Sequence, residues 1–144
     1  MVEGQVKLAD SDLIKDSALL RKLEDRTARV GVVGLGYVGL PTMLAVAEGG
    51  FPVTGLDIDE SRITRINAGE SYIEDIHSSM LGTLVEAGRI SATTDFSVVS
   101  DLDVLLVCVP TPLTKNRQPD LQPMESAVNS IAANMQGEQL IVLQ

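Results

Sequence analysis

The chain has 144 residues, of which 44% are hydrophobic and 22% charged, with a formal net charge of −9. One domain of ordinary size accounts for that length, and the apolar content excludes a disordered chain. No run approaches the ~18 apolar residues of a membrane span, and no basic-then-apolar leader opens the chain.

A single cysteine supplies neither an internal disulfide nor a cysteine metal cluster, so a cytoplasmic protein is expected. The charge divides unevenly. Residues 1–29 carry six acids and six bases, whereas residues 30–144 carry fourteen acids and five bases. Nucleic-acid binding draws on a basic stripe, which is absent, and aromatic residues are too few for a stacking platform. Any phosphate bound here must be held mostly by backbone dipoles rather than by lysines.

In chain order, residues 11–24 predict a short amphipathic helix, with Leu13 and Leu20 seven apart, Leu19 and Leu23 four apart, and Ser11 as N-cap. Residues 1–28 are thus a helical lead with no chemistry assigned. From Arg29 onward, apolar runs alternate with helical periodicity. Val30 to Val33 predicts a buried strand and Tyr37 to Glu48 a helix, with Pro41 in the first turn, where its missing N–H costs no bond. Pro52 to Leu56 predicts a second strand. Asp59, Glu60 and Ser61 cap a helix through Ile63 and Ile66 that stops at Gly69, and Ile76 to Ala87 predicts another. Arg89 to Thr93 and Asp103 to Val109 are further strands. A proline-bearing loop, Pro110 to Asp120, precedes a helix from Pro123 to Met135 and a last strand from Gln139 to Leu143.

This alternation predicts an α/β doubly wound, mostly parallel sheet of the Rossmann type, in the order 3-2-1-4-5, with helices on both faces. The domain spans residues 29–144, and its last strand meets the end of the sequence without a closing helix, as in a truncated domain.

Gly34-Leu35-Gly36-Tyr37-Val38-Gly39 is a G-x-G-x-x-G that follows a strand and opens a helix, the context in which this spacing binds dinucleotides. Gly34 permits the tight turn, Gly36 leaves room for a pyrophosphate, and Gly39 lets helix pack on strand. The N–H groups of Tyr37 and Val38, at the positive helix end, suit a diphosphate. Asp57 ends the second strand, where a carboxylate accepts from ribose hydroxyls and repels a 2′-phosphate, which favours NAD over NADP. Arg62, five residues on, is placed to approach the ribose or the adenine edge. Thr111, just past the fourth strand, lies where the ribose or nicotinamide side is expected. Cys108 reads as a small apolar residue inside a strand, and His77 as a solitary helix-surface histidine. No catalytic constellation and no metal-ligand set can be assembled.

The segments RTARVGVVGLGYVGLP, GLDID, NAGESYIEDI, ATTDFSVV and VCVPTPLTKNRQPDL together resemble the NAD domain of the UDP-glucose/GDP-mannose dehydrogenase family. Within it the resemblance is strongest to the UDP-N-acetylglucosamine 6-dehydrogenases. It implies oxidation of the C6 hydroxymethyl of a nucleotide sugar to a carboxylate with two NAD and no metal. It also implies backbone contacts from Tyr37 and Val38, adenosine contacts from Asp57 and Arg62, and Thr111 at the far end of the cofactor. The family's nucleophilic cysteine, its other catalytic residues, its central and sugar-binding domains and its dimer interface come later, with no matching position here. Cys108 is therefore not the nucleophile, these residues alone should be inactive, and UDP-glucose, UDP-N-acetylmannosamine and GDP-mannose are not separated. Two other readings share the glycine pattern: the cofactor domain of a β-hydroxyacid-type dehydrogenase, and a stand-alone dinucleotide-sensing module.

Overall fold

In the computed structural model, which describes residues 17–144, the run of valines after Arg29 forms β1 (Val30–Val33), buried along its whole length. Around it lie β2 (Val53–Leu56), β3 (Ile90–Thr93), β4 (Val104–Val107) and β5 (Leu140–Leu143), all parallel, in the order β3-β2-β1-β4-β5. The register is fixed by Val30 opposite both Val53 and Val104, and by Val104 opposite Leu140. This is the doubly wound order expected from the alternating pattern. The order reverses between β1 and β4, and their carboxyl ends open a crevice there.

Alternate residues of each strand feed two separate cores, because successive side chains leave a strand on opposite faces. On one face, Val32, Val53, Ile90 and Ala92 pack against α2 (Gly39–Glu48), α3 (Glu60–Asn67) and α4 (Ser78–Glu86), chiefly through Leu40, Met43, Ile66 and Leu81. On the other, Val33, Leu56, Leu105 and Val107 pack against Val99 and against Ala127 and Ile131 of α5 (Gln122–Asn134). Val99 belongs to a 3-10 helix, Phe96–Asp101, that the sequence reading did not anticipate. Phe96 and Val99 are three apart, the spacing at which side chains eclipse in a 3-10 turn, and the Asp95 carboxylate caps it by accepting from the Ser97 N–H.

Several boundaries differ from expectation, each for a local reason. The helix expected from Tyr37 begins at Gly39, leaving residues 36–38 as a turn. The helix expected from Ile76 begins at Ser78 with His77 as its N-cap, whereas α3 begins at Glu60 as expected, the Asp59 side chain accepting from the N–H groups of Ser61 and Arg62. Cys108 lies just past β4 rather than inside a strand, and is buried.

Of the helix expected over residues 11–24, the described part is α1 (Ala18–Glu24), which starts only after Ser17, an N-cap with extended backbone where the expected helix would have run on unbroken. The expected cap Ser11 and the position of Leu13 lie outside the described residues. α1 buries no residue fully and is tied down by polar contacts. Asp103 accepts from Lys22 Nζ at 2.6 Å and from the Arg29 N–H at 2.8 Å, and Arg26 donates to the Gly49 carbonyl. Burial acts to raise the Asp103 carboxyl, but the hydrogen bonds and charges of Lys22 and Arg29 outweigh it and hold the group below its usual value. A depressed carboxyl stabilises the fold above its unfolded value of ~3.9 and loses that contribution as pH falls through the lower folded value. Asp103→Asn should therefore cost about 1 kcal/mol at pH 7, held down by the half-exposed Lys22. Denaturant melts of both proteins check this, and the gap between them should close below about pH 4.

Candidate functional site

The G-x-G-x-x-G turn crosses the carboxyl end of β1, and its three glycines meet different surroundings. Gly34 has φ +88°, and a Cβ there would lie 2.9 Å from the Val109 backbone. At Gly39 a Cβ would lie 1.7 Å from the Gly34 carbonyl oxygen, so the start of α2 presses directly on the turn. Both are requirements of the fold. Gly36 differs: a Cβ there would meet only Arg62 Nη1, at 3.9 Å. Nothing inside the protein demands that glycine.

Among the described residues, the N–H groups of Gly36, Tyr37 and Val38 find no protein acceptor, although the Gly36 and Val38 carbonyls accept from Leu40 and Thr42 at 3.1 Å. Orphan donors at a helix start, with the positive end of α2 behind them, form an anion-binding group. Side chains contribute little here, since Tyr37 and Val38 are 85% and 58% exposed.

Asp57 follows β2 directly and is the one charged residue buried among those described, at 7% exposure. It is therefore not a solvated loop acid. Its Oδ2 accepts from the Leu35 N–H at 2.8 Å and from Arg62 Nη1 at 3.1 Å, and its Oδ1 accepts from the Asp59 N–H at 2.9 Å. A carboxylate offers about four acceptor positions, so Oδ1 keeps spare capacity for a further donor. Arg62 is half-exposed, close to Asp59 as well at 3.7 Å, and lies with its guanidinium carbon 5.8 Å from the Tyr72 ring centroid. The Tyr72 hydroxyl donates to the Leu35 carbonyl. Burial, partly offset by Arg62 and reinforced by Asp57, pushes that hydroxyl up to about 12, so it is a donor at neutral pH.

Gly34, Gly36, Asp57 and Arg62 line a single cleft of about 440 Å³ outside the carboxyl ends of β1, β2 and β4. Its other walls include Leu56, Ile58, Phe96, Val109, Pro110 and Asp120, with Gln122, Pro123, Ser126 and Ser130 from α5. Tyr37, Val38 and Gly39 adjoin it through the turn. Thr111 does not line it; it is exposed, beyond Pro110, on a loop closed by a bridge between Leu113 and Pro119. The α5 residues and Tyr72 escaped the sequence reading because they reach the site only through tertiary packing. The apolar three-residue spacing around Phe96 was the one local signal available.

Cys108 is not placed for chemistry. Its Sγ donates to Gln144 Oε1 at 3.2 Å, and burial pushes the thiol up despite a hydrogen bond with Thr42. His77 is exposed at the start of α4. Among the described residues no group of three His, Cys, Asp or Glu side chains could hold a metal, and no helix is long and apolar enough to cross a membrane.

A parallel doubly wound sheet, a glycine turn that leaves space and unpaired N–H groups, and a buried acid after β2 define a dinucleotide-binding domain. Residues 28–144 match the model of the UDP-glucose/GDP-mannose dehydrogenase family, NAD binding domain. UDP-N-acetyl-D-mannosamine dehydrogenase of Escherichia coli (strain K12) is 38% identical over 118 residues, 81% of this chain and 27% of that protein. The solved GDP-mannose dehydrogenase from Pseudomonas aeruginosa is similar at a TM-score of 0.74 and 33% identity, covering 80% of this chain and 28% of that one. NDP-N-acetyl-D-galactosaminuronic acid dehydrogenase from Methanosarcina mazei Go1 reaches a TM-score of 0.76 at 28% identity, covering 89% and 30%. A (S)-3-hydroxybutyryl-CoA dehydrogenase from Ralstonia eutropha, at 16% identity and a TM-score of 0.57, shares the fold alone.

The chain belongs to the UDP-glucose/GDP-mannose dehydrogenase family and is its NAD binding domain, with NAD as cofactor. It spans 27% of the length of the E. coli relative.

Proposed function

We propose that residues 29–144 hold the cofactor for a UDP-sugar 6-dehydrogenase, with residues 1–28 as a helical lead. The observation that carries this reading is Gly36: the one glycine of the turn that the fold does not require stands in the cleft beside unpaired N–H groups. In this reading the N–H groups of Gly36, Tyr37 and Val38 bind the diphosphate, with Gly34 and Gly39 shaping the turn. Asp57 accepts from an adenosine ribose hydroxyl through the spare capacity of Oδ1. Arg62, held by Asp57, borders the adenosine, and Ile58 and Phe96 supply apolar cleft wall. Thr111 serves the nicotinamide side once its loop folds over the cofactor.

NAD supplies a hydride acceptor; the chain's own residues bind it, orient it and exclude a 2′-phosphate through the Asp57 charge. The substrate is a UDP-sugar, with UDP-N-acetylglucosamine the first candidate from the motifs and UDP-N-acetyl-D-mannosamine the second from the E. coli relative. The sugar would be held, and the nucleophile supplied, by parts of the relatives' length that this chain does not match, so these residues alone would not catalyse the reaction. The full-length protein would act as a cytoplasmic homodimer.

An NADH assay of the full-length protein against a panel of nucleotide sugars tests the reading. Two NADH per UDP-sugar consumed is expected. NAD binding with no turnover of any nucleotide sugar would favour a sensing module instead.

A further inference from the structure

Tyr72 belongs to none of the assignments above, yet it touches the phosphate turn and Arg62 at once. It lies on the segment between α3 and α4, and its hydroxyl reaches the carbonyl of Leu35, 37 residues away in sequence. That carbonyl belongs to the peptide whose N–H is that of Gly36. A trans peptide is planar, with C=O and N–H pointing in opposite directions, so fixing the carbonyl fixes the direction of the N–H. The preceding peptide is held as well, because the Leu35 N–H donates to Asp57 Oδ2 at 2.8 Å. Leu35 itself is fully buried. The Gly36 N–H is thus aimed by Tyr72 before any ligand arrives, with Asp57 fixing the peptide before it, and a carbonyl that accepts a hydrogen bond strengthens the N–H of its own peptide.

The Tyr72 ring has a second role. The guanidinium carbons of Arg62 and Arg65 lie 5.8 and 5.5 Å from its centroid, within cation–π range, and Arg65 is anchored to the Ser71 carbonyl at 2.7 Å. Tyr72 therefore forms a shelf on which Arg62 rests beside Asp57.

We infer that Tyr72 is a positioning residue for the dinucleotide, its hydroxyl aiming the Gly36 N–H at the diphosphate and its ring holding Arg62 at the adenosine end. This rests on the reading that the cleft binds NAD. The ligand fragment affected is defined: adenine, ribose and diphosphate, not nicotinamide.

The test compares the 144-residue chain with Tyr72→Phe and Tyr72→Leu, titrated by calorimetry with NAD and with ADP, beside melting of the unliganded proteins. Tyr72→Phe keeps the shelf and loses the hydroxyl. It should weaken NAD and ADP by the same factor, about five- to tenfold for one hydrogen bond, beside a drop of a few degrees in melting temperature because the Leu35 carbonyl loses its donor. The Gly36 amide proton resonance should move in the unliganded Phe variant. Tyr72→Leu should lose a further factor of about three, and that extra loss should vanish in an Arg62→Ala background. Unchanged affinities with a lowered melting temperature would make Tyr72 merely structural and overturn the inference. An extra loss that persists without Arg62 would overturn the shelf. A wild-type chain that binds neither NAD nor ADP would instead overturn the reading beneath it, and the inference with it.

Discussion

Gly36→Val should abolish measurable dinucleotide binding while leaving the fold intact. A Cβ at this position meets only Arg62 Nη1, at 3.9 Å, an ordinary contact with the end of a flexible side chain. The valine methyls then extend into the cleft, where the diphosphate would approach the start of α2. Forced overpacking costs ~1–3 kcal/mol, and the diphosphate would also lose its N–H donors, so affinity should fall by about a hundredfold or more. Circular dichroism and the unliganded melting temperature should stay near wild type, and NAD should no longer raise the latter. Gly39→Ala gives the contrast within the same motif. Its Cβ would lie 1.7 Å from the Gly34 carbonyl oxygen and 2.8 Å from its carbon, backbone atoms that cannot rotate out of the way. That variant should be destabilised by more than about 3 kcal/mol, the range reserved for severe steric faults. NAD stabilisation retained by Gly36→Val would mean that the turn serves the fold alone.

Asp57→Asn should weaken NAD by roughly 1–3 kcal/mol, as expected for hydrogen bonds to a charged group. The buried position adds a stability cost. The carboxylate accepts three hydrogen bonds, from Leu35, Asp59 and Arg62. An asparagine accepts through one oxygen only, so its amide must face one of those donors and leave it unpaired. If the oxygen stays with Leu35, the Asp59 N–H is orphaned at the start of α3. A lowered melting temperature should therefore accompany the loss of affinity. NADP should lose less than NAD, or gain, because the charge that repels a 2′-phosphate has gone. Calorimetry with both cofactors checks this, and an unchanged NAD affinity would remove Asp57 from the site.

Most of the sheet was legible in the sequence because its strands are short, continuously apolar and separated by helical periodicity. Val30 to Val33 and Val104 to Val107 are buried from both faces, which removes the period-two alternation and leaves a plain apolar run. The glycine turn was legible because backbone geometry dictates Gly34 and Gly39 whatever the surroundings. What sequence spacing could not show is which groups meet across the fold. Asp57 was legible as a strand-end acid suited to a ribose, but its burial was not, because that follows from Leu35 and Arg62 converging on it. Tyr72 sits in a polar stretch with no periodicity, and its bond to Leu35 exists only once α3 has packed beside the turn. The wall given by Gln122, Ser126 and Ser130 likewise depends on α5 docking over β1 and β4. Thr111 shows the reverse: strand order places its loop just past β4, but the residue itself is exposed and does not line the cleft.

We place NAD at the Gly36 turn and Asp57. Amide resonances of the isotopically labelled 144-residue chain, followed through an NAD titration, test it most directly. Saturable shifts should be largest at Gly36, Tyr37 and Val38 and at Asp57 and Ile58, with the outer strand β5 unmoved. Saturable binding with those amides unchanged and the largest shifts elsewhere would contradict it.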